Sequence, residues 1–265
     1  MTIKLMKSSV EHVISSLSSS LMKYGLDLVL PFSVTKYNSL AIEHNFQPLP
    51  LPSKENSLGL LIGNTKYLWP YFIDYLSEKT EDFWEHKDNP LDDYIANYLQ
   101  IAVERSLGEK KTEIRFSHVH TGDNFIAIQH AGRLAGLQYD PDLGFCLHPT
   151  YGPWIGLRGV VIVGDVESLT ADSCSPEQIS MIPSETLRKL ELEMTTLRAQ
   201  WKQDSQWTWE KYWTQWVSLR DRVGEACSTQ QWRYCDEQIR YHYLKDLSAL
   251  KVAVENSRNI ADSKN

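Results

Sequence analysis

The chain has 265 residues, 42% of them hydrophobic and 11% aromatic, enough to bury the core of one large domain or of a domain with an appendage. Its formal net charge of −7 excludes a surface working through a concentrated positive field, so neither nucleic acid nor membrane is expected as a partner, and any anionic ligand must be met by locally placed cations. No apolar run reaches membrane-spanning length and the N-terminus lacks a signal-peptide pattern, which predicts a soluble, cytoplasmic protein.

In chain order, Ser9 to Tyr24 carries Val13, Ile14, Leu17, Leu21 and Met22 at helical spacing and halts at Gly25. "LDLVLPFSV" reads as a strand, "YNSLAIEH" as a helical turn, "QPLPLP" as an extended connector and "SLGLLIGNT" as a fully buried strand. "LWPYFIDYLSE" and "PLDDYIANYLQIAVERSLG" are helical, the second with Pro90 in its first turn and Gly108 at its end. "TEIRFSHVH" alternates as a strand, "FIAIQHAGRLAGLQY" reads as one helix, and "IGLRGVVIVGD" as a further strand. Strands interleaved with helices predict an α+β domain, a sheet flanked by helices. From Gly164 to Pro183 the chain turns polar with breakers, which suggests a boundary, and beyond it the pattern is almost wholly helical. Six of the nine tryptophans fall between Trp201 and Trp232, either capping the first domain with flat surfaces or stapling helix to helix.

The four cysteines, Cys146, Cys174, Cys227 and Cys235, lack the close spacings of zinc ribbons and cysteine-ligated clusters and read as reduced thiols. Among eight histidines only His118 and His120 are closely spaced, on one face of the expected strand, with no carboxylate or cysteine to complete a set, so no metal site is expected. No G-x-S-x-G elbow, P-loop or G-x-G-x-x-G motif occurs, which removes most support for hydrolase and nucleotide triphosphatase chemistry. Ala127, Ala131, Gly132, Ala135 and Gly136 leave one flank of their helix bare, suiting either a flat ligand or close packing on the sheet. Arg158, at the mouth of an apolar strand, poses a sharper question, because a buried guanidinium is costly unless something anionic meets it. That anion is either a ligand or a structural carboxylate such as Asp165.

The window "CLHPTYGPWIGLRGVVIV", with "LPFSVTKYNSLA", "PLPLP", "AIQHAGRLAGLQY" and "WRYCDEQIRYHY", resembles the CblC family of cyanocobalamin reductases and alkylcobalamin dealkylases. The blocks fall in one order from about Tyr24 to about Tyr243. The resemblance implies a flavin-reductase-like, nitroreductase-type fold at residues 1–170, with a helical cap and C-terminal tail at 171–265. It implies cobalamin bound base-off, with its upper ligand removed either reductively, by reduced FMN or FAD expelling cyanide, or by glutathione taking an alkyl group. Carried over by position, the cobalamin-contacting residues are Ser117, Ile126, Ala127, Ile128, Gln129, Tyr139, Cys146 and Leu157, and Arg158 and Arg220 position glutathione. Arg220 is placed across an insertion before Arg233. A downstream cobalamin-delivery protein is implied as a partner, with the chain a monomer or a ligand-dependent homodimer.

The chain departs from the family's pattern at "HTGDNF", where an arginine-rich dimerisation loop is expected, at Arg133 in place of histidine, and at Asp140 and Pro141 in place of tyrosines. No histidine sits in an Asp-x-His-x-x-Gly pattern, so none is expected to ligate cobalt, and His148 reads as part of a turn with Pro149. Two other functions stay open: a cobalamin carrier without turnover, and a flavin-dependent nitroreductase without cobalamin.

Overall fold

The computed structural model describes residues 2–52, 57–166 and 180–262. Helix α1, Thr2–Leu21, buries Val10, Val13, Leu17 and Leu21 along one stripe and runs into a 3-10 turn, Met22–Tyr24. Gly25 ends it at φ 73°, and a β-carbon there would lie 2.7 Å from the Leu68 Cα, so conformation and space both require glycine.

Strand β1 (Leu28–Ser33) leads into α2 (Val34–Glu43), whose first turn is capped by the Ser33 hydroxyl accepting from the Lys36 N–H. After the Pro-rich connector come β2 (Ser57–Asn64), α3 (Leu68–Ser77), the short α4 (Glu81–Glu85) and α5 (Pro90–Leu107). Then follow β3 (Thr112–Phe116), α6 (Ile128–Leu134), β4 (Gln138–Asp140), β5 (Phe145–Leu147) and β6 (Gly156–Gly164). The described C-terminal part is helical: α7 (Ser184–Gln203), α8 (Trp209–Ala226), a 3-10 turn at Gln230–Trp232, α9 (Asp236–Leu244) and α10 (Leu247–Asp262). The expected boundary at 170/171 and Cys174 lie outside the described residues.

The main sheet has the order β1-β2-β6-β3 and is antiparallel throughout; β4 and β5 form a separate two-stranded ribbon. Every residue of β2 is buried because helices cover both faces of the sheet. On one face Leu58, Leu60, Ile62, Val161 and Val163 pack against α1, α3, α5 and α10. On the other, Leu61, Val160 and Ile162 pack with Phe32, Tyr37, Ile126, Ala131 and Cys146, beneath α2 and α6.

Two expectations are corrected. "FIAIQHAGRLAGLQY" is not one helix: α6 stops at Leu134, Gly136 turns the chain at φ 93°, and Tyr139 lies in β4, paired with Cys146. The strand at "TEIRFSHVH" ends at Phe116, because the last ladder bond runs from the Ser117 N–H to the Arg158 carbonyl and the Val119 N–H then turns back to Phe116. His118 and His120 therefore do not share a strand face; His118 stacks on Phe116 and lies 3.9 Å from Asp92.

Candidate functional site

The site forms where β6 begins. The connector 153–155, the N-terminal turn of α6, β5 and the inner faces of α8 and α9 enclose a pocket of about 250 Å³. Its wall brings together six sequence-predicted residues: Ile128, Gln129, Cys146, Leu157, Arg158 and Arg220. The others stand behind it. Ile126 is buried in the cluster beneath α6, and the Ala127 N–H donates to the buried Tyr37 hydroxyl at 2.9 Å, which anchors the start of α6 and presents Ile128 and Gln129 to the pocket. Tyr139 packs against His130 from the ribbon, and Ser117 only extends the sheet ladder beside Arg158.

The flank of α6 is filled from within at its centre. A β-carbon on Gly132 would meet Cys146 Sγ at 3.1 Å, Leu137 Cδ1 at 3.2 Å and Leu157 Cδ1 at 3.6 Å, and Ala131 is fully buried. At Gly132 and Ala131 the close-packing reading of the small-residue pattern holds.

Cys146 donates weakly to the Gln129 carbonyl at 3.8 Å, and burial pushes its thiol pKa up to about 12. It serves as apolar wall and not as a thiolate. His148 accepts from the Thr150 N–H through Nδ1 and stacks on Tyr151, in a turn closed by the bridge between His148 and Gly152; burial pulls its pKa down to about 4.

The two arginines differ in what they hold. Arg220 donates from Nε and Nη2 to the Pro153 carbonyl at 3.1 and 2.7 Å, from Nη2 to the Ile155 carbonyl at 3.1 Å, and from Nη1 to the Tyr243 hydroxyl at 3.0 Å, with Trp154 beneath its plane. Most of its fork thus ties α8 to the connector. Among the described residues Arg158 makes one side-chain hydrogen bond, from Nε to the Asn64 Oδ1 at 2.6 Å, and no carboxylate lies within ion-pair distance of it. Arg158 lies near the start of β6 and Asp165 just past its other end. Burial works against the charge of Arg158, and the more distant Tyr234, Asp92 and Tyr241 favour it. Arg158 lines a pocket together with Cys146, Arg220, His242 and Tyr243, and of these His242 is held neutral by burial and by Arg220, Arg158 and Lys245. A cation so placed, with no acid beside it, suits an anionic ligand.

Sequence reasoning missed Asn64, Trp216, His242 and Tyr243. Asn64 was legible only as the polar end of an apolar strand; the other three lie on helices whose register against β5 no local pattern states. A larger groove of about 530 Å³ between α3 and α10 has Asp74 and Glu237 as its charged lining and gathers none of the predicted residues. Asp140, Asp142 and Glu191 bring carboxylate oxygens within 4.8 Å of one another at the far side of the ribbon. No described helix is long and apolar enough to cross a membrane.

Comparison with known proteins gives a consistent picture. The family model of the methylmalonic aciduria and homocystinuria type C family matches residues 25–246. The cyanocobalamin reductase / alkylcobalamin dealkylase of Bos taurus is 26% identical over 257 residues, covering 89% of this chain and 79% of its own. That of Homo sapiens is 26% identical over 252 residues with the same coverage. The crystal structure of the B12-trafficking protein CblC of C. elegans superposes with a TM-score of 0.71 over 94% of this chain and 98% of that one, at 20% identity, and shares the fold.

Proposed function

The chain belongs to the methylmalonic aciduria and homocystinuria type C family, and on that premise we propose that it is a cobalamin-processing enzyme that removes the upper axial ligand of cobalamin bound base-off. The observation carrying the reading is Arg158: a buried cation with no carboxylate partner among the described residues, at a pocket lined by six residues that the family resemblance selected in advance. Glutathione, with two carboxylates and a thiol, is the anionic co-substrate this cation would orient.

The pocket, at about 250 Å³, is too small to enclose a macrocycle, so a corrin would have to lie outside it with one axial face toward its lining, which includes Ile128, Gln129, Trp216 and Tyr243. Displacing the lower nitrogen donor makes cobalt easier to reduce. A reduced flavin, FMN or FAD, supplies the electrons for decyanation when it docks; for dealkylation the thiolate of glutathione takes the alkyl carbon from cobalt, and the electron pair of that bond stays on the metal. The protein contributes position and field. Arg158 anchors a carboxylate, neutral His242 adds no competing charge, and protonated Cys146 does not attack in place of the co-substrate. Kinship with nitroreductases, a cytoplasmic location and a hand-over to a delivery protein complete the proposal.

Titrating the protein with methylcobalamin and following absorbance tests it. A shift to the base-off spectrum followed by consumption on adding glutathione is expected; a shift without consumption identifies a carrier, and no shift at all removes cobalamin from the account.

A further inference from the structure

We infer that Asn64 is a positioning and specificity-determining residue: its neutral amide fixes the orientation of Arg158 without neutralising it, so that the guanidinium charge is kept for an anionic co-substrate. The inference rests on the proposed anionic pocket and adds a residue outside its wall.

Asn64 is the last residue of β2, wholly buried, and faces Gly156 across the sheet just past the register shift at Ile62/Gly63. Its side chain offers an acceptor oxygen and an NH2 donor group. Oδ1 accepts from Arg158 Nε at 2.6 Å, and Nδ2 donates to the Thr65 carbonyl at 2.7 Å, which sets the amide's direction. Thr65 is held in turn by Asp27, whose two carboxylate oxygens accept from the Thr65 N–H at 2.7 Å and the Thr65 hydroxyl at 2.5 Å. The chain of contacts therefore ends on a carboxylate that touches Thr65, one residue removed from the guanidinium.

Gly156 provides the second, independent observation. A β-carbon there would stand 2.8 Å from Asn64 Oδ1 and 3.0 Å from Arg158 Nη2, so amide and guanidinium lie together against bare backbone. In this niche Nε meets the amide and Nη2 lies against Gly156, which itself lines the pocket with Arg158. An aspartate at position 64 would accept from Arg158 as well, but it would neutralise the cation and set an oxygen against the Thr65 carbonyl. Amide and carboxylate are nearly equal in size, so the distinction is one of charge.

The test measures binding of glutathione and of its neutral diester, both carboxylates esterified, to the full-length protein and to Asn64→Asp and Asn64→Ala by calorimetry. The parent should prefer glutathione to the diester by about tenfold or more. Asn64→Asp should bring that ratio close to one while diester binding stays within about twofold; Asn64→Ala should weaken glutathione binding by roughly three- to tenfold yet keep a clear preference for the free acid. A merely structural role would weaken both ligands alike. An aspartate variant that retains the parental ratio overturns the inference; should that variant not fold, as judged by its melting curve, an alanine variant binding glutathione as tightly as the parent does so instead. A parent that does not distinguish the two ligands removes the anionic pocket itself, a separate failure.

Discussion

Arg158 and Arg220 lie at one pocket, and their hydrogen bonds assign them different work. Arg158 spends one donor on the protein and Arg220 spends its Nε and both terminal nitrogens. Arg158→Ala should therefore leave the cobalamin spectral shift intact and lower the rate of glutathione-dependent dealkylation by about 10- to 100-fold, in keeping with loss of one charge-assisted contact of roughly 1.5–3 kcal/mol; equal rates in variant and parent would take Arg158 out of the mechanism. A different residue governs the response to acid. His148 has a folded-state pKa of about 4 against an ordinary value of 6.5, so the unfolded chain binds more protons between those limits, and stability rises with pH across that window. The contribution is whole above about pH 6.5 and is lost as pH falls toward 4. Undiluted, the shift corresponds to roughly 3 kcal/mol, which contact with water reduces to about 2. His148→Asn, whose Oδ1 can still accept from the Thr150 N–H, should flatten this limb in urea melts taken from pH 4 to 7, leaving the slope due to His130 and His242.

At the scale of elements, α6 is a seven-residue helix that stays in place because others hold it: Tyr37 at its start, and Cys146, Leu137 and Leu157 against Gly132. Gly132→Ala would gain about 1 kcal/mol of helix propensity but force a methyl into contacts of 3.1 and 3.2 Å, an overpacking cost of about 1–3 kcal/mol. The melting temperature should fall by roughly 2–4 °C, with Leu137 and the pocket-wall residue Cys146 displaced; an unchanged or raised melting temperature would show that the wall gives way freely. The same element marks how far sequence reasoning reaches. Its small residues were visible, and so were the four main strands, since the runs ending at Ser33, Asn64 and Gly164 are each bounded by turn signals. Whether a bare flank faces a ligand or a neighbour's side chains depends on Cys146 and Leu157, which come from strands far along the chain. The break at Gly136 was hidden by apolar spacing that suits a helix and a short strand equally. Six of the pocket residues were found because the family resemblance, rather than periodicity, selected them.

At the scale of the whole molecule, the C-terminal helices complete one of the two sheet-face cores and cover the ribbon region. Tyr241, Leu250 and Val254 enter the same apolar cluster as Leu17, Phe72 and Trp84, and Leu190, Met194, Leu219 and Val223 cover Leu143, Phe145 and Leu147 of the ribbon region. Arg220 fastens the same helices to the connector carrying Trp154. Cutting the chain at residue 170 would expose both surfaces at once, and each buried aliphatic side chain lost is worth about 2–5 kcal/mol, against a total stability of about 5–15 kcal/mol. Residues 1–170 expressed alone should therefore show no cooperative thermal transition by circular dichroism, and should bind neither methylcobalamin nor glutathione, because Trp216, Arg220, His242 and Tyr243 would be missing from the pocket wall. A sharp transition within a few degrees of the full chain would instead establish the N-terminal part as an independent unit with a detachable cap. The pocket would then be an inter-domain cleft that opens and closes around its ligand, rather than the fixed seam that this shared packing describes.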